Sequence, residues 1–309
     1  MYRTFVILRH TFLETVVQPI YTLLIAIGIA ILAIFGMLPF FTLGEDTVMF
    51  KSVALDVILL LVLVATLFAT SKSIYEEIED RTMLTLMSKP VRRWEVLVGK
   101  YLGIITAALM AIAILGLILV LCVWWRIPND YQMRPNPLDD RDIRQLFQTR
   151  MMHIMGLLPS LVLMWLQISV LAAIGVALST RFSLVVNLPV VILLYIAGNL
   201  TRFLYPIVFG AGDQGTPLEG RSAIVKSIAW AVSLVLPYLG TFDDRQRTVY
   251  GKITIAGMEY LQGQQGAIAL SSLWGYAGTA TLYALAYATF ALAVGMLLFQ
   301  TRELGGAEG

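Results

Sequence analysis

SIYEEIEDRTMLTLMSKPVRRWEVLVGKYLG, residues 73–103, is a charged island between two long apolar runs. Its first half places Glu76, Glu77, Glu79, Asp80 and Arg81 ahead of Met83, Leu84, Leu86 and Met87, the order of a short helix charged at its start and apolar at its end. Pro90 closes that helix, because the residue before a proline avoids the helical region. Arg92, Arg93 and Trp94 restart a helix that passes Gly99 and Lys100 and runs into the next apolar stretch. A jointed amphipathic element at a membrane surface can dock in a groove of a partner and move two membrane helices together. The plainer alternative is a solvated loop that only sets topology.

The runs on either side of the island fix the fold class. The 309 residues are 58% hydrophobic and 14% charged, with a mean hydropathy of +0.79, against about 45–50% apolar and about 25% charged in soluble domains. At about 1.5 Å rise per residue and about 30 Å of hydrocarbon, roughly 20 apolar residues make a crossing. Six stretches meet or approach that length: 20–41, 53–70, 102–125, 154–179, 184–201 and 274–299. Asp56 lies near one end of the second, where its carboxylate can reach headgroups, and Arg181 and Arg202 bound the short fifth. Trp94, Trp124, Trp125 and Trp274 stand near span ends as interface anchors. A seventh apolar stretch, 223–239, contains Lys226, Ser227, Ser233 and Pro237. A central charge costs roughly 2.5–3.5 kcal/mol on insertion scales and proline interrupts helix bonding, so a re-entrant or surface-lying helix is expected there rather than a crossing.

Orientation follows from Lys72, Arg81, Lys89, Arg92, Arg93 and Lys100, which crowd one short loop and place it in the cytoplasm. Six spans then put both termini in the cytoplasm and leave an external segment at about 205–272. Between spans three and four, Pro128, Pro135 and Pro137 mark a turn-prone stretch, and Asp139 or Asp140 can cap a helix leading into span four. Glu14 and Gln18 precede the first apolar run without a clean small-x-small cleavage site, so that run is expected to stay as a signal anchor. Cys122 is the only cysteine, which rules out an intrachain disulfide. The net charge of +2 gives no global field to attract nucleic acid. Residues 1–309 read as one all-α polytopic domain of the inner (plasma) membrane, in contact with membrane lipid.

The residue order across the island closely resembles the signature of ABC type-2 family permeases. It appears as Glu79-Asp80-Arg81-Thr82-Met83-Leu84, Leu86-Met87-Ser88-Lys89-Pro90, Arg92-Arg93-Trp94-Glu95 and Gly99-Lys100-Tyr101-Leu102-Gly103. The family form has Glu-Arg-Glu before a Gly-Thr, where this chain has Asp80-Arg81-Thr82. Residues 3–19, with Phe5, Leu8, Phe12, Leu13 and Val16 at helical spacing and Arg9, Glu14 and Pro19 among or beside them, look like the family's interfacial elbow helix. Their alternative is the cytosolic end of span one. Leu178-Ser179-Thr180-Arg181-Phe182-Ser183 resembles the family's second, short cytosolic loop, and Leu297-Leu298-Phe299-Gln300-Thr301-Arg302-Glu303-Leu304 its closing pattern after span six. Within the family, the chain is similar to permeases of gliding-motility and nitrous-oxide-reductase-maturation exporters.

The resemblance implies six transmembrane helices with an N-terminal elbow helix, a cytosolic coupling helix between spans two and three, and external re-entrant or surface helices before span six. It implies an ATP-driven exporter of two permease subunits, identical or paralogous, and two ABC ATPase subunits. Glu76, Glu77, Glu79, Asp80, Arg81, Thr82, Leu84, Leu86, Pro90, Arg92, Trp94, Gly99 and Lys100 would then form the ATPase-coupling segment, with Ser179 and Arg181 in the second loop.

The residues themselves limit the chemistry. No G-x-x-x-x-G-K-[ST] loop occurs, so no phosphate cradle is expected in this chain, and ATP and Mg would be held by the partner ATPase. His10 and His153 are the only histidines, neither sits in an H-E-x-x-H pair, and no G-x-S-x-G occurs, which argues against an intramembrane enzyme. His153 reads as an interfacial residue. An ion-coupled secondary transporter should carry intramembrane carboxylates, and only Asp56 comes near that position. A non-transporting membrane assembly subunit with the same fold is the remaining alternative. Gln167, Ser169, Asn187 and Asn199 read as interhelical hydrogen-bond partners rather than ligands. Ala280, Ala284, Ala288, Ala291 and Gly295 form a small-residue seam on the last span, which is either intrachain packing or a dimer interface.

Overall fold

A computed structural model describes residues 2–38, 46–79, 92–131, 140–209, 236–254 and 267–300. Helix α1 (Tyr2–Val17) breaks at Gln18, and α2 (Pro19–Met37) opens on Pro19, whose missing N–H has no intrahelical partner to lose at that position. α3 (Asp46–Ser73) is followed, after Ile74, by the short α4 (Tyr75–Glu79). Then come α5 (Arg93–Tyr131), α6 (Asp140–Ser179) and α7 (Leu184–Phe209). A 3-10 turn at Leu239–Phe242 and the four-residue α8 (Arg245–Thr248) precede β1 (Lys252–Thr254). β1 pairs in parallel with β2 (Ala267–Ala269), Ile253 opposite Ile268, and β2 leads directly into α9 (Leu270–Gln300). This short pair is the one departure from an all-helical chain among the described residues.

Among the described residues, five helical stretches are long and apolar enough to cross a bilayer: Pro19–Met37, Asp46–Glu79, Arg93–Ile127, Arg150–Ser179 and Leu270–Gln300. Leu184–Leu200, expected as the fifth crossing, is a shorter apolar helix within α7. α5 and α6 overrun the expected bounds of 102–125 and 154–179. Hydropathy marks where a helix meets hydrocarbon, whereas backbone hydrogen bonding carries on past that boundary. The helix expected over 223–239 lies outside the described residues except for its end at 236–239.

α6 forms the middle of the bundle: 72% of its apolar window is buried, against 17% for α2 and 28% for α9, which therefore lie at the periphery. Leu23, Ile27 and Ile34 on α2 and Leu282, Leu285 and Phe290 on α9 face outward, as lipid-facing side chains do. Inside, the Tyr21 hydroxyl donates to the Ala107 carbonyl (2.8 Å) and the Trp165 indole N–H to the Ile105 carbonyl (3.0 Å), tying α2 and α6 to α5. One face of α9, Ala277, Ala280, Ala284, Ala288, Ala291 and Gly295, is buried and ends at Phe299.

Candidate functional site

The helices meet at two ends, and the sequence motifs gather at the one that contains Lys100. Here α1 lies against the start of α5. A Cβ added to Gly99 would come within 2.9 Å of Ile7 Cβ, and one added to Gly103 within 2.8 Å of the Leu8 carbonyl oxygen and Thr11 Cβ. Four residues apart, these two glycines present one bare strip of α5 on which the α1 backbone rests. The opposite face of α1 leaves Tyr2, Phe5, Val6, Leu13 and Val17 exposed.

α5 begins on a reciprocal cap. The Arg92 carbonyl accepts from the Glu95 N–H (2.9 Å), and the Glu95 carboxylate accepts from the Arg92 N–H (2.9 Å), so Glu95 supplies the back-reaching half of a capping box. Two turns on, the buried Lys100 ammonium donates to the Ser73 carbonyl at the end of α3 and pairs with Glu77 Oε1 of α4 at 2.8 Å. One cation thus ties the end of α3, the short α4 and the start of α5.

The last helix joins the same cluster. Its final carbonyls have no intrahelical donors. Arg93 Nη1 donates to the carbonyls of Phe299 (2.7 Å) and Gln300 (3.1 Å), and Arg181 Nε to that of Leu298 (3.1 Å). Cationic side chains at a helix C-terminus also complement its dipole. The Arg93 guanidinium lies 5.4 Å from the centre of the Phe299 ring, and Phe299 is fully buried in a cluster with Ile74, Val96, Leu97 and Val176. The turn that carries Arg181 is closed by Ser179 and Thr180, both buried, whose hydroxyls donate to the carbonyls of Val176 and Ala177.

Of the expected coupling residues, Glu77 and Lys100 meet directly, Gly99 packs against α1, Arg92 is exposed and caps α5, Glu79 and Trp94 are exposed, and Glu76 is described only as part of α4. Asp80, Arg81, Thr82, Leu84, Leu86 and Pro90 lie outside the described residues. In the expected elbow, Arg9 is exposed, Glu14 lies 3.8 Å from His10 on the outer side of α1, and Pro19 opens α2. The motif points to Arg92 and Trp94, yet the side chain that crosses to α9 is Arg93. Neighbouring arginines are indistinguishable in a pattern, and only the phase of the helix decides which one faces α9.

The opposite end holds a second set of polar contacts. Arg126, 4% exposed, pairs with Asp46 (2.7 Å) and donates to the carbonyls of Phe35, Gly36 and Leu38, closing the end of α2. Asp56 does not stand alone near headgroups: Arg245 of α8 meets it at 2.5 Å. His153, expected at an interface, lies 2.9 Å from the ammonium of buried Lys51, which also donates to the Val249 carbonyl. Asp244, which precedes α8, is held above its ordinary carboxylate value chiefly by burial; Arg247 opposes that shift and Asp243 adds to it. Asn187 does bond across helices, to the Gly175 carbonyl (3.0 Å), whereas Ser169 and Asn199 bond within their own helices. Gln167 lines a small recess with Ser160, Met164, Phe242 and Asp243. No group of three or more His, Cys, Asp or Glu that could hold a metal occurs among the described residues.

A family model described as ABC-2 family transporter protein matches residues 43–304, a range that takes in the Lys100 end, the Arg126 end and all helices from α3 to α9. No curated protein matches the chain.

Proposed function

Since this chain belongs to the ABC-2 transporter family, we propose that it is the permease subunit of an ATP-driven exporter and that its Lys100 end is the surface on which a separate ABC ATPase acts. A permease component is what the family match supports, and an ATPase is the usual kind of partner for such a subunit. The observation that carries the coupling role is the Lys100 cluster. A push on α4 reaches α3 through the Ser73 carbonyl and α5 through Lys100 itself, by contacts of one buried ammonium. On this reading the Lys100 end faces the cytoplasm of the inner membrane, both termini lie on that side, α7 completes six crossings, and α1 lies along the interface as an elbow. Two such subunits, identical or paralogous, work with two ATPases.

Single cysteines test this, in a background where Cys122 is replaced by alanine. Glu79→Cys should react with an impermeant maleimide only from the cytoplasmic side of oriented vesicles, and Tyr250→Cys only from the outside. Glu79→Lys should weaken capture of a cognate ABC ATPase. Labelling of Glu79→Cys from the exterior would sink the reading.

A further inference from the structure

α9 differs from the other peripheral helix, α2, in where it is fastened. The end of α2 is closed by Arg126 at the far end of the bundle, whereas the end of α9 is closed at the Lys100 end by two arginines, one at the start of α5 and one in the turn between α6 and α7. Between its ends α9 rests on an alanine and glycine strip, which lets the α6 backbone approach closely. In the first half of α9 the Tyr276 hydroxyl donates to the Thr241 carbonyl (2.7 Å) and the Tyr283 hydroxyl accepts from the Tyr238 N–H (2.8 Å), so it is the far end of α9 that Arg93 and Arg181 fasten, through the carbonyls of Leu298, Phe299 and Gln300. A guanidinium suits this role because its donors are fixed in a planar fork and it keeps its charge at any working pH. Beneath it, the fully buried Phe299 ring seats the contact in the same apolar cluster as Ile74, which links α3 to α4.

We infer that Arg93 and Arg181 are positioning residues that make the end of the last helix follow the start of α5 and the turn between α6 and α7, so that α9 is moved by the same partner action as α3 and α5. This inference rests on the ATPase-coupled reading above. It assigns α9 an active part in the transport cycle and places the coupling in two side chains that contact no nucleotide.

The test uses the full chain with its ATPase in nanodiscs, in the Cys122→Ala background, with a single reporter cysteine at exposed Glu79 or at exposed Gln300. Maleimide labelling rates are compared without nucleotide and after trapping with ATP and vanadate. The expected result is a nucleotide-dependent change at both reporters, with the change at Gln300→Cys lost in R93Q/R181Q while that at Glu79→Cys persists. Loss of a merely structural contact would lower thermal stability without separating the two reporters. R181Q alone changes an exposed side chain at the turn, so it should fold as the parent does and weaken the Gln300→Cys response. Full responses at Gln300→Cys in both R181Q and R93Q overturn the inference and leave the exporter reading standing. Silence at Glu79→Cys in the parent overturns the exporter reading, and the inference with it.

Discussion

Gly295 of α9 lies against Ala177 of α6 so closely that a Cβ added to the glycine would fall 2.8 Å from the Ala177 Cα and Cβ. The small-residue seam of the last helix is thus packing within the chain, along a face that is buried from Leu273 to Phe299. Replacing Gly295 with leucine should force the two helices apart. Overpacking of this kind costs about 1–3 kcal/mol, and a lowered unfolding midpoint of the purified protein in detergent checks it. An unchanged midpoint would mean that the seam is looser than this contact requires.

The docking of α1 depends on Gly103, where the nearest atoms to an added Cβ include the Leu8 carbonyl oxygen and the Phe12 backbone nitrogen. Backbone cannot rotate aside as a side chain does. Gly103→Val should therefore lift α1, at a cost of about 1–3 kcal/mol, and amide exchange over residues 2–17 should accelerate while that of α6 stays slow.

Lys100→Met retains the apolar stem and removes the ammonium. The Ser73 carbonyl then loses this donor and Glu77 its cation. Leaving a buried acceptor unsatisfied costs about 1–3 kcal/mol, and here the loss falls on the attachment of α4. Exchange should accelerate at residues 75–79, and on the proposed reading capture of an ABC ATPase should weaken with it.

Arg126→Met should be among the most damaging single changes. It leaves Asp46 without its partner and uncaps α2, whose Phe35, Gly36 and Leu38 carbonyls all rely on the guanidinium. Breaking a buried ion pair from one side costs about 3–5 kcal/mol. Adding Asp46→Asn should recover part of that loss, because no orphaned charge remains, and unfolding midpoints of the single and double variants measure the difference.

Asp244 gives the fold a pH dependence of known sign. Its pKa is raised in the folded chain above the ordinary 3.8, so the folded state binds this proton more tightly than the unfolded state does. The contribution of this group to stability therefore rises as pH falls through the raised pKa and levels off below 3.8. Asp244→Asn, uncharged throughout, should be more stable than the parent at neutral pH, with the gap narrowing on acidification. Thermal unfolding at the two pH values checks both the sign and the convergence.

The sequence by itself determined that this is a helical membrane chain of the ABC-2 kind. Hydropathy accumulates locally along each run, and the motif at 79–103 is a matter of residue order, which needs no partner to be read. What it left open were choices between neighbours or between partners. Only the tertiary structure decided that Arg93 rather than Arg92 closes α9, that the alanine strip faces α6, that Asp56 meets Arg245, and that His153 meets Lys51. Each of those joins residues far apart in the chain, and such contacts depend on the rotation of one helix against another. Local periodicity records which faces of a helix are apolar, and carries no information about which other helix will cover them.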